Sequence, residues 1–301
     1  MTRRPQITLL PDDKRLHLQD GPIDLIVEAT GSERDIRAAY DAAVCRFTGL
    51  LDGLCMELGE LRKAAHPMHC ALEGVIARRM HAAVAPFAAD RFITPMAAVA
   101  GSVADEILGA MLEAASLDRA YVNNGGDIAL HLAGDEQFTV GLMDRPDRSG
   151  LMQTMVIHAD DPVRGIATSG RHGRSFSFGI ADAVTVLART ASEADAAATV
   201  IANAVDLPGH PAIVHRPANE LQPDSDLGPR LVTREVGRLS EREITDALEA
   251  GAVCARECLA AGLIEGAALR LFSETVVVRV RPPKMAQSQL VHECAIENAR
   301  A

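Results

Sequence analysis

The sequence predicts an α+β fold in which mostly antiparallel sheets pack against long helices. Three observations carry that prediction. Short apolar–polar alternations bounded by Gly, Pro, Asn and Asp recur along the chain. Three stretches carry helical periodicity behind capping residues. Strands and helices are mixed without strict β–α–β alternation, which argues against a doubly wound parallel sheet. With 301 residues and 48% hydrophobic content the chain can bury a large core, and with 3% aromatic residues and no Trp that core is built from Leu, Val, Ile and Ala. We expect one domain over residues 1–282 and a peripheral tail over 283–301, where periodicity is weak. No internal repeat is evident.

The elements follow in order. Residues 6–29 read as strands, with Ile7, Leu9, Leu16 and Leu18 alternating with polar positions around Pro11-Asp12-Asp13-Lys14, and Ile23–Val27 following Gly21-Pro22. Ser32 with Asp35 reads as a capping box. Behind it Ile36, Tyr40, Val44, Phe47, Leu51, Leu54, Leu58 and Leu61 recur at steps of three and four, which predicts one unbroken core helix of about eight turns. Thr94-Pro95 reads as a cap followed by proline at the first helical position, opening a helix through Ala115 in which Ala98, Gly101 and Ser102 leave room for a backbone or ligand. Tyr121-Val122 and Ile128–Leu132 pair around Asn123-Asn124-Gly125-Gly126. Phe138–Leu142, Met152–His158 and Ala183–Leu187 continue the sheet, with Val156–Ile166 interrupted near Asp160-Asp161-Pro162. Ser192 opens a helix through Ala204. Residues 207–237 hold five prolines and form a long ordered excursion with strand-like Ala212–Val214 and Leu231–Thr233. Ser240 with Glu243 caps a helix to about Ala261, and Leu271–Val280 is a closing strand.

Several function classes are excluded. A net charge of -11 without a long basic run excludes nucleic acid as a partner. The apolar windows Met96–Ala115 and Ala250–Leu271 each carry three or more charges, so no membrane span is expected. The N-terminus has no apolar signal region, so the cytoplasm is the expected location. Cys45, Cys55, Cys70, Cys254, Cys258 and Cys294 show no CxxC spacing and read as free buried thiols. His66, His69 and Cys70 could begin a metal site, but no matching second half is present. The lysines are Lys14, Lys63 and Lys284, and no P-loop, G-x-G-x-x-G, G-x-S-x-G or H-E-x-x-H occurs.

Three polar turns remain as candidates. Asn123, Asn124, Gly125, Gly126 and Asp127 form either a plain primed hairpin turn or a ligand-binding turn whose free backbone N–H groups meet an oxygen-rich group. Thr168, Ser169 and Gly170, beside Arg171, His172 and Arg174, form either a solvated basic loop or a seat for phosphate or carboxylate. Asp195 and Thr199 lie one turn apart on a helical face and are hard oxygen donors suited to Mg²⁺. The alternative for them is a Ser192–Asp195 capping box with Thr199 bonded back to a carbonyl.

At these residues the chain resembles the ApbE-like superfamily, which includes FAD-dependent protein flavinylation enzymes. Asn123-Asn-Gly-Gly-Asp127 is similar to that family's N-A-G-G-D turn, and Ile166-Ala-Thr-Ser-Gly170 to its A-T-S-G strand end. Val184-Thr-Val-Leu-Ala188 with Asp195 and Thr199 is similar to its V-T-V-L-A and A-D-x-x-A-T elements. Ile93–Gly101, Gly21–Asp24, Pro223–Gly228 and Gly262–Ala268 resemble its standalone branch, uncharacterised protein family 0280, from about residue 15 to 280. The resemblance implies a single α+β domain and a site for FAD or FMN. It also implies Mg²⁺ held by Asp195 and Thr199 with the Ala98 carbonyl. Flavin transferases carry S-H-I-x-D-P-x-T-G before V-T-V-L-A. Here residues 175–183 read SFSFGIADA, without the His or the Asp-Pro, so the group that assists proton removal is absent and His172 is the remaining candidate base.

The sequence therefore supports an ApbE-like protein with a pocket for a phosphate- or carboxylate-bearing small molecule. If it is an enzyme, it is a flavin-transferase-like transferase or hydrolase. The alternatives are a non-catalytic flavin or nucleotide binder and an oligomeric scaffold without a ligand. The expected partner is a small molecule, and self-association into a homo-oligomer stays open.

Overall fold

Alternation of apolar residues decides the sheet. A computed structural model describes residues 5–145 and 148–279. The expected tail 283–301, Val280 and Cys294 lie outside the described residues. Strands β1 (Gln6–Leu9), β2 (Leu16–Asp20) and β3 (Ile23–Thr30) form an antiparallel meander in which Leu18, Leu25 and Val27 are fully buried.

Ser32 caps α1 (Glu33–Phe47), accepting from the Asp35 N–H at 3.1 Å. The long helix predicted behind it is broken twice, into α2 (Leu50–Met56) and α3 (Leu58–Leu61). Gly49 adopts φ +80°, a left-handed conformation that ends a helix. The apolar stripe survives the breaks, because Phe47, Leu50, Leu54 and Leu61 all enter one core cluster. The backbone steps while the buried face continues, which periodicity alone does not reveal.

After α4 (Val75–Val84), Thr94 does not cap through its hydroxyl, which instead donates to the Asp226 carboxylate at 2.5 Å. Pro95 opens a 3-10 turn, Pro95–Ala98, and α5 (Val99–Ala114) follows. Among the described residues Pro95–Ala114 is the one helical segment long and apolar enough to cross a membrane. It is the central helix here, packed on α1 and on strands β4 (Arg119–Asn124) and β5 (Asp127–Leu132).

Strands β6 (Gln137–Arg145) and β7 (Arg148–His158) do not continue the sheet as expected, but pair only with each other. Ile157 and Val163 pack on Leu130, Leu132, Ile166 and Leu187, so this ribbon covers part of the sheet face away from the helices.

The second half comprises β8 (Gly165–Ser169), β9 (Ala183–Ala188), α6 (Ala191–Ala204), β10 (Ile213–Pro217), α7 (Ala218–Leu221), β11 (Leu231–Val236), α8 (Glu241–Ala260), β12 (Gly266–Leu271) and β13 (Glu274–Arg279). The proline-rich excursion is ordered, with β10 paired to β11. The capping box of Ser240 and Glu243 is present. The expected closing strand at 271–280 is a hairpin instead, turning at Phe272-Ser273. Helix α6 is capped by Thr190, two residues before the expected Ser192.

Nine strands form one sheet in the order β1-β2-β3-β4-β5-β8-β9-β12-β13, antiparallel at every junction. Helices α1, α5, α6 and α8 line one face in matching order. The fold is thus α+β, and its element order repeats: hairpin, helices, hairpin over β2–β5, then again over β8–β13. The sequence carries no echo of that repeat.

The two halves meet where α5 crosses α6. A Cβ on Gly101 would lie 2.2 Å from the Ala191 carbonyl oxygen, and one on Gly165 would lie 2.0 Å from the Thr190 carbonyl. The start of α6 is threaded between these two glycines. Each helix then completes the other's first turn. Asp105 of α5 accepts from the Ala191 and Ser192 N–H groups at 3.0 and 2.9 Å. Asp195 of α6 accepts from the Gly101 N–H at 3.0 Å and also from that of Ala100. Ala98, at the start of α5, has no side chain to do this work, and Asp195 supplies the missing acceptor.

Cys254 and Cys258 are buried as expected, but Cys45, Cys55 and Cys70 are exposed. His66 and His69 face each other across an isolated bridge, and among the described residues no group of three or more His, Cys, Asp or Glu has a metal-binding arrangement.

Candidate functional site

The turn between β4 and β5 is a two-residue hairpin with Gly125 at φ +65° and Gly126 at φ +115°, which only glycine adopts readily. Asn123 closes it by accepting from the Gly126 N–H at 2.8 Å. Asn124 is buried and donates through Nδ2 to the Ala100 carbonyl at 3.1 Å. Both asparagines therefore build the site, and their amides are already engaged. The Ala100–Gly101 peptide is gripped from both sides, its oxygen by Asn124 and its N–H by Asp195.

Asp127 follows the turn and accepts from the Thr168 N–H at 3.2 Å, tying β5 to β8. Its carboxyl is raised to about 7, by burial first, with the Thr168 N–H opposing. Asp195 is raised well above the ordinary range, by burial first and then by the charge of Asp127, against the two N–H groups at the start of α5. Two acids from different elements thus lie close enough for their charges to interact, each half-buried. Among the described residues neither forms an ion pair with Lys, Arg or His.

Thr199 and Asn203 continue from Asp195 at successive turns of α6. Between Ala194 and Ala202 this helix is buried Ala, Val and Ile apart from Asp195 and Thr199, and Asp195, Thr199 and Asn203 are half-open polar positions on one face. Asn203 was missed in the sequence, although the 195, 199, 203 spacing in an alanine-rich helix signals it. Its Oδ1 accepts from the Phe178 N–H at 2.9 Å and the Ser177 hydroxyl at 3.2 Å. The stripe leads there to Phe178, whose ring lies 6.4 Å from Phe92, itself covered by the Arg230 guanidinium at 3.3 Å. The 3-10 turn ending at fully buried Ala98 packs on the same helix.

The 168–174 loop divides its residues. The Thr168 N–H faces Asp127, but its hydroxyl bonds Thr185 at 2.9 Å on the sheet face away from the helices. Ser169 is half-buried on the helix side. Gly170 lies against Asp182, where a Cβ would come within 2.5 Å of the carbonyl oxygen. Arg171 and His172 both bond buried Asp182, from Arg171 Nε at 2.8 Å and His172 Nε2 at 3.1 Å, and the Phe272 N–H donates to the same carboxylate. The Arg171 guanidinium is thus committed to this knot. Arg174 is exposed, donates to the Pro22 carbonyl at 3.3 Å and lies against Gly125, with its Cζ 3.5 Å from where a Cβ would sit. Of the three basic residues it alone makes no ion pair among the described residues.

Removing the Asp182 carboxylate leaves Arg171, His172 and the Phe272 N–H without their acceptor. Asp182→Ala should cost about 3–5 kcal/mol, as for other broken buried pairs. It should also speed proteolysis within residues 170–182, and chemical denaturation with limited trypsinolysis measures both.

Two cavities lie away from the carboxylate pair. One, of about 420 Å³, is lined by Arg79, Arg164 and Arg189 beside Asp105 and Leu108. Arg79 is bound to Glu106 and Arg164 to three backbone carbonyls, so neither guanidinium is offered to an anion.

Residues 7–277 match the profile of the family described as AbpE bacteria. The chain belongs to this family. The AbpE bacteria match covers both carboxylates, the glycine turn and every strand of the nine-stranded sheet but the first residue of β1 and the last two of β13. Similar curated proteins include a UPF0280 protein of Methanothrix thermoacetophila, 42% identical over 116 residues, which are 38% of this chain and 46% of that one. Another is a UPF0280 protein of Archaeoglobus fulgidus, 41% identical over 113 residues, which are 38% of this chain and 45% of that one. The chain thus spans about half the length of the curated relatives it matches. Among solved structures, the apo form of Pseudomonas stutzeri flavinyl transferase ApbE aligns over 92% of this chain and 95% of its own, at 10% identity and a TM-score of 0.48.

Proposed function

We propose that the cleft along α6 binds a phosphate-bearing small molecule together with a divalent cation, and that a flavin nucleotide is the ligand. The observation that carries this is the pair Asp127 and Asp195, two acids brought together from β5 and α6 without a basic partner among the described residues. Burying like charges side by side is costly, and a hard cation removes that cost. Asp195, Thr199 and the Ala98 carbonyl would hold Mg²⁺, with Asp127 as a further oxygen donor, and the donor set suits Mg²⁺ rather than a soft metal. Such a cation, when bound, neutralises phosphate oxygens.

The chain's own residues do the rest. Arg174, over the Gly125-Gly126 turn, supplies the positive charge for an anionic group. Asn124 and Asp195 fix the Ala100–Gly101 peptide that frames the cleft. Phe178 offers apolar surface at its far end, beside Phe92, whose ring the Arg230 guanidinium covers. The flavin reading rests on the resemblance of the three motifs to ApbE-like flavin transferases and on membership of the AbpE bacteria family.

A second reading is that the protein binds its ligand without turning it over. The Arg171–His172–Asp182 knot favours it, since the candidate base His172 shares its carboxylate with an arginine and residues 175–183 carry no His or Asp-Pro. A thermal-shift panel of FAD, FMN, ADP and pyrophosphate, with and without Mg²⁺, tests the site. FAD with Mg²⁺ should raise the melting temperature by several degrees, and FAD without it by less. No shift with any of the four overturns the binding proposal. Release of FMN and AMP from FAD, lost in His172→Ala, would decide for turnover. Unchanged FAD decides for the second reading.

A further inference from the structure

Cys254 and Cys258 stand one turn apart on α8, on the face that meets the loop leading into the 3-10 turn at Pro95. Arg91, in that loop, donates through Nη1 to the Cys254 sulfur at 3.2 Å. The Cys258 thiol donates to the same sulfur. Glu257 lies at the rim, 3.6 Å from the other Arg91 nitrogen. Arg91 and Glu257 side chains are 39% and 64% exposed, so the cluster sits just beneath the surface although Cys254 itself is buried.

We propose that Cys254 is the reactive thiol among the described cysteines, a thiolate held by Arg91 and the Cys258 thiol that takes small soft electrophiles and hydroperoxides. Three facing groups set its charge. Cys258 donates a hydrogen bond and Arg91 adds positive charge, which outweigh burial and the opposing charge of Glu257 and bring Cys254 down to about 7. Cys258, the donor of the pair, is pushed up and keeps its proton. An isolated buried thiol behaves in the opposite way.

With a hydroperoxide the step balances. The thiolate attacks one peroxide oxygen and the S–O bond forms as the O–O bond breaks. Two electrons pass from sulfur to the peroxide, the departing hydroxide or alkoxide takes a proton from solvent, and Cys254 becomes a sulfenic acid. Closure with Cys258 to a disulfide is resisted by the helix. Cβ atoms at this spacing stand about 5–6 Å apart on a helix, against about 4 Å in a disulfide. The sulfenic acid therefore persists long enough to be trapped.

The proposal is independent of the function argued above, but it touches the same loop. Arg91 precedes Phe92 and Thr94, so oxidation of Cys254 alters an anchor of the segment that ends at Ala98.

Cys45, Cys55 and Cys70 are exposed and serve as internal standards. Folded full-length protein is treated at pH 7 with limiting iodoacetamide, or with hydrogen peroxide followed by dimedone, and each cysteine is quantified by peptide mass spectrometry. Cys254 should label about tenfold faster than the exposed three, the ratio expected for a thiol near pH 7 against an ordinary one. Arg91→Leu should remove most of that advantage while Cys45, Cys55 and Cys70 label as before. Labelling that follows exposure, with Cys254 modified only after denaturation, overturns the proposal. So does an Arg91→Leu variant in which Cys254 stays as fast as in the parent protein.

Discussion

Asp195→Asn should raise the melting temperature of metal-free protein at pH 8 and abolish its response to Mg²⁺. Both effects have one cause. Asp195 is pushed up by burial and by Asp127, so its ionised form is held against its own preference. The sign follows from linkage. The folded pair binds protons more tightly than the unfolded chain, so its contribution is fully present below the ordinary carboxylate value of 3.8. It is lost as pH rises through the folded value, about 7 for Asp127. Metal-free protein should therefore lose stability between about pH 4 and pH 7. Mg²⁺ should restore more of it at pH 8 than at pH 5, where protons already occupy the site. Asparagine keeps an oxygen for the Gly101 N–H but carries no charge. Asp195→Ala removes that oxygen as well and should lose about 1 kcal/mol, the usual cost of a lost cap. Calorimetry across pH, with and without Mg²⁺, separates the three proteins. An Asp195→Asn protein that melts with the parent at pH 8 while Asp195→Ala falls would show that Asp195 is only a cap.

Gly165→Ala should be among the most damaging single-methyl changes in the chain. The new Cβ would lie 2.0 Å from the Thr190 carbonyl carbon and oxygen, which are backbone and cannot turn aside. Either β8 leaves the sheet or the start of α6 moves off α5. The overpacking cost is about 3 kcal/mol, which lowers the melting temperature by roughly 6–12 °C in a chain of this size. Ligand binding should fall with it, because Asp195 moves with α6. Gly53→Ala is the control. That glycine is exposed on α2 with nothing within 4 Å of a Cβ, and the change should be neutral or stabilising by about 0.5–1 kcal/mol. Differential scanning fluorimetry on the two variants reads the contrast. Equal melting temperatures would mean that α6 does not thread between Gly101 and Gly165.

The parts of this site that were legible in the sequence are those made by neighbours in the chain. Asn123–Asp127 reads as a tight turn because the turn itself demands those residues, and the structure places a two-residue hairpin there. Ser240 with Glu243 reads as a cap for the same reason. What joins distant segments was not legible. Gly101 and Asp195 are 94 positions apart, and no local pattern says that an acid on one helix completes the first turn of another. Ser192 looked like the cap of α6, but Thr190 stands two residues earlier and takes that place. Arg171 and His172 read as free donors because Asp182 lies across the loop rather than beside them. The long apolar stripe from Ile36 to Leu61 reported which face packs on the core, and it was silent on the two points where the backbone steps.

The crossed acids, Asp105 and Asp195, have a consequence for any attempt to divide the protein. A fragment ending after β5 would keep α5 but lose the group that satisfies its leading amides. A fragment beginning at β8 would leave α6 in the same condition. Neither piece should hold a fixed tertiary structure alone, and mixing the two should restore order only when both are present together.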